Sequence, residues 1–207
     1  MSLQELVDRI KKEFPRYIFV GEAHFVSEPK EFTSELVTEL RKQGVDVGLY
    51  VEALHSTANV QKGNYDGDVI RWDKQLKGMG YRGLIDSVKD GVPVHGIDHP
   101  EYPSRIKDSE SRERVEWWKK FIEEGTEKVK VVFVGGGHIW NNNKNPADIV
   151  SLMRSPFWLV ENDRAYLPPI PIETFSFQYN SSEYKVALYK PQTPCNTYPF
   201  FSIETNK

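Results

Sequence analysis

Four apolar runs, separated by stretches of helical periodicity, set the architecture of this chain. Tyr17 to Gly21 (YIFVG), Val47 to Glu52 (VGLYVE), Val92 to Asp98 (VPVHGID) and Lys130 to Val134 (KVVFV) are continuous rather than alternating in polarity. A strand with one wet face alternates, whereas a strand covered on both faces reads as an unbroken apolar run, the pattern of a parallel sheet. Between the runs, Phe32, Leu36, Val37 and Leu40 recur at helical spacing before Gly44, and Leu84, Ile85 and Val88 before Gly91. Val115, Trp118, Phe121 and Ile122 do the same before Gly125. Ser27 or Glu28 can cap the first of these helices, near Pro29. A leading helical face of Leu3, Leu6, Val7, Ile10 and Phe14 closes at Pro15. The order that follows it is β-α-β-α-β-α-β, which predicts an α/β fold of three layers, a mostly parallel central sheet flanked by helices. Trp117 and Trp118 are helical neighbours, so only one of them can face the core.

Two segments break the rhythm. Residues 56–83 are polar and glycine-containing but carry Tyr65, Trp72, Met79 and Tyr81. That is too long for an ordinary connection and suits a lid or specificity insertion. From Phe157 onward, FWLVEN reads as a strand and LPPIPIE as a stiff connector. TFSFQY and EYKVALY alternate around Asn180, Ser181 and Ser182, so the extended region 163–207 is expected to add a C-terminal antiparallel edge hairpin. At 207 residues the chain is long enough for one well-packed domain, 1–207, and short for two.

His24, His55, His95, His99 and His138 all fall at or near the carboxyl ends of the apolar runs. Parallel strands bring those ends to one rim, where open α/β sheets bind ligands. Glu22, Glu52 and Asp98 share the same exits. His95 lies inside its run and reads as a core histidine satisfied by backbone. His55 reads as a cap of the next segment, and Asp98 and His99, just before Pro100, also suit a turn.

Two motifs carry chemistry. In FVGEAHF (Phe19 to Phe25) a glycine at the strand exit lets the backbone turn, aiming Glu22 and His24 from one short loop. An acid and an imidazole in that arrangement act as an orienter and its base, or as two metal ligands. In VFVGGGHIW (Val132 to Trp140), Gly136 and Gly137 let a ligand approach the main chain and His138 projects at the end. The glycine spacing matches neither a dinucleotide fingerprint nor a P-loop. No Gly-x-Ser-x-Gly elbow is present and Cys195 has no nucleophile motif around it, so attack by water is favoured over a covalent acyl-enzyme.

GEAH at Gly21 to His24, Glu28 a few residues later, Glu52 followed by Ala53, and GGGH at Gly135 to His138 together resemble a known superfamily. It contains the erythromycin esterase-like hydrolases, the ChaN-type haem-binding proteins and the Tiki/TraB proteins. The resemblance runs from about Tyr17 to Trp140, departing from the esterases in having no threonine before His24. It implies a hydrolase of ester or amide bonds in which His24 is the base or a metal ligand, with Glu22, Glu52 and His138 as the other polar positions. In a metal-free form His24 activates water, Glu52 or Glu22 fixes its tautomer, and His138 supports the leaving group or oxyanion. In a metal form Glu22, His24 and His138 hold Zn or Mn with an open position for water. The alternative it implies is a non-catalytic haem- or metal-binding protein, with Tyr65, Trp72 and Tyr81 as walls of a haem slot. Glu28, Asp98, His99, Gly136 and Gly137 form a second tier of ligand-binding candidates.

Charge narrows the partners. A net charge of -3 offers no basic field for nucleic acid or anionic lipid, leaving a small-molecule or peptide substrate. The lone Cys195 cannot form an internal disulfide, which predicts a reduced, cytoplasmic setting. Asp8, Lys11, Lys12 and Glu13 interrupt the first apolar pattern as no signal peptide would tolerate, and no later run has transmembrane length, so no membrane association is expected.

Overall fold

The computed structural model describes residues 2–22, 24–63, 69, 73, 78–106, 112–139, 149, 157–162, 173–180 and 182–189. Tyr65, Trp72, Cys195, residues 64–68, 70–72 and 74–77 of the 56–83 segment, and most of the 163–207 segment lie outside them.

Helix α1 (Leu3–Glu13) opens on a capping box, with the Ser2 hydroxyl accepting from the Glu5 amide and the Glu5 carboxylate accepting from the Ser2 amide. It buries Leu6, Val7 and Ile10, while Phe14, which the periodicity places on the same face, is the left-handed C-cap and is exposed. Strand β1 (Tyr17–Glu22) leads through the His24 turn into α2 (Glu28–Lys42), then β2 (Val47–His55), a single 3-10 turn (Val60–Lys62), α3 (Tyr81–Val88) and β3 (Val94–Asp98). Then come α4 (Arg112–Glu124), β4 (Val129–Gly135), a helical turn α5 (Gly136–Ile139), and β5 (Phe157–Asn162), β6 (Glu173–Tyr179) and β7 (Ser182–Tyr189). Gly44 supplies the positive φ, 79°, that turns the chain from α2 into β2.

The seven strands form one sheet in the order β3-β2-β4-β1-β5-β7-β6. The first five are parallel, and β7 and β6 are antiparallel additions at one edge, as the alternation of their sequences predicts. Every residue of β4 is buried, as are the first eight of β2. One face, with Ile18, Val20, Leu49, Val51, Val131 and Phe133, lies under α1, α2 and α3. The other, with Tyr17, Phe19, Tyr50, Val132 and Val134, lies under Val115, Trp118 and Ile122 of α4. Phe32 of α2 also seals the hairpin, its ring 5.3, 5.3 and 4.9 Å from those of Phe177, Tyr179 and Tyr184.

The described part of the 56–83 segment has a definite job. Asp73 accepts from the amides of Tyr81 and Arg82 at 2.7 and 2.9 Å, so its carboxylate sits on the positive end of α3. Asp73→Ala is expected to cost about 1 kcal/mol, read from a urea melt. An unchanged midpoint would show that the cap contributes nothing.

Candidate functional site

Three adjacent strands, β2, β4 and β1, deliver Glu52, the Gly135 to His138 turn, and Glu22 with His24 to one edge, and β3 adds Asp98 beside β2. The register pairs Glu22 with Gly135 and His55 with Asp98, so these exits are level. Two acid and imidazole pairs result.

The first pair is Glu22 and His24. His24 Nδ1 lies 2.6 Å from Glu22 Oε1 and 2.8 Å from the Tyr81 hydroxyl, which itself donates to Glu22 Oε1. With the hydroxyl proton committed to Glu22, the proton on the ring belongs on Nδ1, which puts the lone pair of the neutral imidazole on Nε2. Nε2 lies on the Gly135 side, where a Cβ would come within 3.3 Å of it and within 3.1 Å of Cε1, so a side chain there would press on the ring. Glu22 Oε2 accepts from Lys30 Nζ at 2.7 Å, and both side chains are fully buried. Burial favours a neutral Glu22, but the His24 hydrogen bond and the Lys30 charge outweigh it and hold the carboxyl below its ordinary value. For His24, burial disfavours the imidazolium, and the hydrogen bond and charge of Glu22 overcome that, raising its pKa above 6.5.

The second pair is Glu52 and His138. His138 Nε2 is 3.1 Å from Glu52 Oε1, the Gly135 amide donates to Oε2 at 2.7 Å, and Arg114 Nη2 donates to Oε1 at 3.0 Å. Burial pushes the Glu52 carboxyl up. The charge and hydrogen bond of His138, then Arg114 and the Gly135 amide, bring it down to about 2. Arg114 also grips Asp98 with two bonds, 2.7 and 3.0 Å, and Asp98 Oδ1 further accepts from Trp118 Nε1 and the His99 amide. Sequence left open which glutamate orients His24. Glu22 does so, and Glu52 serves His138.

The second tier disperses. Gly136 sits beside the end of β1, a built Cβ lying 3.7 Å from the Glu22 carbonyl, and with Gly137 it opens the turn that carries His138. Glu28 is in the first turn of α2 and accepts from Ser182 of β7 at 2.8 Å, tying the hairpin to the helix. His99 accepts from the Glu101 amide and packs on Trp117, ring centroids 4.5 Å apart. His95 departs from the expected rim altogether. It is the second residue of β3, level with Tyr50, and its Nε2 lies 2.7 Å from Glu127 Oε1, just before β4 begins. Its partner is thus a side chain, not backbone. Trp118 is the buried member of the tryptophan pair and Trp117 the half-buried one.

Three residues escaped the sequence as members of this network, and each left a signal. Lys30, Arg114 and Tyr81 lie on the buried stripes of their helices, at i, i+3, i+7 with Thr33 and Val37, i, i+4, i+8 with Trp118 and Ile122, and i, i+3, i+4 with Leu84 and Ile85. A charge on an apolar stripe is rarely tolerated without a buried partner.

The metal set expected from the sequence does not fit the residues described. The expected ligands Glu22, His24 and His138 are committed elsewhere, Glu22 to an ammonium at 2.7 Å and His138 to Glu52. Among the described residues no group of three or more His, Cys, Asp or Glu side chains is placed to hold a metal ion. Of the expected haem walls, Tyr65 and Trp72 lie outside the described residues, and Tyr81 is buried with its hydroxyl on Glu22. No described helix is long and apolar enough to cross a membrane.

No protein-family profile matches the chain. No curated protein matches it either. Among solved structures it is similar to ChaN of Campylobacter jejuni, a protein described with cofacial haem, at 12% identity and a TM-score of 0.50 over 91% of this chain and 92% of that one. It is similar to a structure described as bacterial protein toxins, at 15% identity and a TM-score of 0.50 over 77% of this chain and 36% of that one. A third likeness is to RRSP, a MARTX toxin effector domain from Vibrio vulnificus CMCP6, at 17% identity and a TM-score of 0.44 over 67% of this chain and 31% of that one. The chain therefore spans about a third of the length of the toxin chains it matches. At such identities it is the fold that is shared, and the likeness to ChaN extends over nearly the whole of both chains.

Proposed function

We propose that the rim is a hydrolytic centre that cleaves an ester or amide bond of a small-molecule or peptide substrate with water activated by His24. The observation that carries this reading is the 2.6 Å contact of His24 Nδ1 with a fully buried Glu22, which fixes the tautomer and leaves Nε2 as the base. Nε2 takes a proton from water, the hydroxide adds to the carbonyl carbon, and the carbon to oxygen or nitrogen bond breaks. The imidazolium returns its proton to the leaving group, and Glu22 stabilises that imidazolium meanwhile. His138 in its protonated form keeps one N–H on Glu52 and gives the other to the oxyanion or to the leaving group. No step runs through a metal, because Lys30 and Arg114 already neutralise the carboxylates a cation would need.

The test is hydrolysis of a panel of p-nitrophenyl esters and internally quenched peptides by the parent and by His24→Ala, alongside a haem titration of both. Loss of the general base is expected to lower kcat/KM by about 10²- to 10⁴-fold in a variant that still folds, with its stability deficit smallest at alkaline pH where the reaction is read. As only the neutral ring is a base and its pKa is raised, the rate should climb with pH on the alkaline side of 6.5. Equal rates in parent and variant, or a one-to-one Soret band lost in His24→Ala without hydrolysis, would overturn the reading in favour of a binding protein.

A further inference from the structure

Lys30 stands where helix physics argues against it. In the first turn of α2, Glu28 and Glu31 suit the positive end of the helix dipole, and a lysine does not. Yet Lys30 has no exposed surface. Burying an ammonium costs several kcal/mol unless partners compensate. All three of its protons have acceptors: Glu22 Oε2 at 2.7 Å, the Val26 carbonyl at 3.0 Å and the His24 carbonyl at 3.2 Å. The ammonium also lies over the Tyr81 ring, 4.5 Å from its centroid. Two of the acceptors are backbone atoms of the very turn that carries the imidazole.

The geometry points to Lys30 as the positioning residue of the Glu22 and His24 pair: one buried ammonium fastens the carboxylate and the His24 turn together, so that the ring is held in one place over Gly135. This assignment rests on the hydrolytic reading only for its kinetic consequence. The loop is pinned at His24 and Val26 on one side, and the ring is clamped by Glu22 and Tyr81 on the other, which leaves the imidazole little freedom to swing. A catalytic base misplaced by about 1 Å loses on the order of a hundredfold in rate. Lys30 also faces His24 as a like charge. Among the described groups around that ring are Glu22 from β1, Tyr81 from α3, Lys30 from α2 and Glu52 from β2, and of these four Lys30 is the one that opposes its protonation electrostatically.

The decisive variant is Lys30→Met, which removes the charge and all three bonds while keeping an unbranched stem. Two quantities are read: the ring titration of His24 by nuclear magnetic resonance, and the pH profile of kcat and KM on the esters. The titration is expected to move to higher pH, with the rate limb following it, kcat falling about tenfold to a hundredfold and KM unchanged. A lysine needed only for folding would lower the melting temperature and leave both the titration and the limb in place, and that result overturns the assignment. If Lys30→Met does not fold, Lys30→Gln, which keeps a neutral donor for Glu22, is read the same way. If neither folds, Lys30 is a folding residue and the positioning role falls. The titration needs no turnover, so a parent that hydrolyses nothing removes the hydrolytic reading while the ring measurement still decides the role of Lys30.

Discussion

Arg114→Met is expected to destabilise the protein by about 3 to 5 kcal/mol, the usual cost of breaking a buried ion pair by removing one partner. For a chain of this size that corresponds to a fall in melting temperature of roughly 6 to 20 °C. Arg114 is 3% exposed and is sandwiched between the Tyr102 and Trp118 rings, 4.0 and 4.5 Å from their centroids. Its guanidinium bonds both Glu52 and Asp98, two carboxylates that are themselves buried. Without it they keep the His138, Gly135, Trp118 and His99 donors but share no cation between them. The pH dependence gives an internal check. Glu52 titrates near 2 in the folded protein against an ordinary 4.5, so its contribution is complete above 4.5 and is lost as the pH falls through about 2. Removing Arg114 takes away part of what lowers that value, so the variant's Glu52 gains its proton at higher pH and the unpaired charge disappears there. The gap between parent and variant should be widest near neutrality and narrow in acid. A variant as stable as the parent at pH 7 would mean that the network is not held by Arg114.

The contrast between what sequence showed and what it hid follows from how each kind of information is encoded. Burial on both faces of a strand is written into consecutive residues, so Val131 to Val134 announce a central parallel strand, and the alternation of Phe175, Phe177 and Tyr179 announces the edge hairpin. Glu22, His24, Glu52 and His138 were legible as rim residues because every crossover returns the chain to the same sheet edge. Pairing was not legible. Which glutamate serves which histidine depends on strand order, and β4 standing between β1 and β2 is a tertiary fact that no local pattern records. His95 shows the same limit from the other side. Its apolar run begins at Val92, two residues before β3 does, but the residue sits early in the strand, where the cross-sheet neighbour is Tyr50 and the partner is Glu127. The buried cations were hidden for a further reason. A lysine or arginine on a helix is ordinarily a solvated residue, and only its position on the apolar stripe sets Lys30 or Arg114 apart.

The two imidazoles should fail together. The Glu52 charge acts on the His24 ring, its Oε2 accepts from the Gly135 amide at 2.7 Å, and its Oε1 lies 3.1 Å from His138 Nε2. One carboxylate therefore acts on both the base and the proton donor. If His24 and His138 handle the same reaction, His24→Ala and His138→Ala each lose about 10²- to 10⁴-fold in kcat/KM, and the double variant loses little more than the worse of the two. Two independent contributions would instead multiply, to about 10⁴-fold or beyond, and that outcome would separate the pairs into unrelated sites. Stability provides the control, because the pairs differ in sign. His24, with its pKa raised by Glu22, stabilises the fold below 6.5 and loses that contribution as the pH rises through its folded value. Glu52, with its pKa lowered, contributes above 4.5 and loses that contribution in acid. His24→Ala should thus narrow its stability deficit on going alkaline, where the reaction itself runs faster, and His138→Ala should narrow its deficit on going acid. A rate loss that followed either stability profile would trace to unfolding, whereas one that followed neither belongs to the chemistry of the joined pairs.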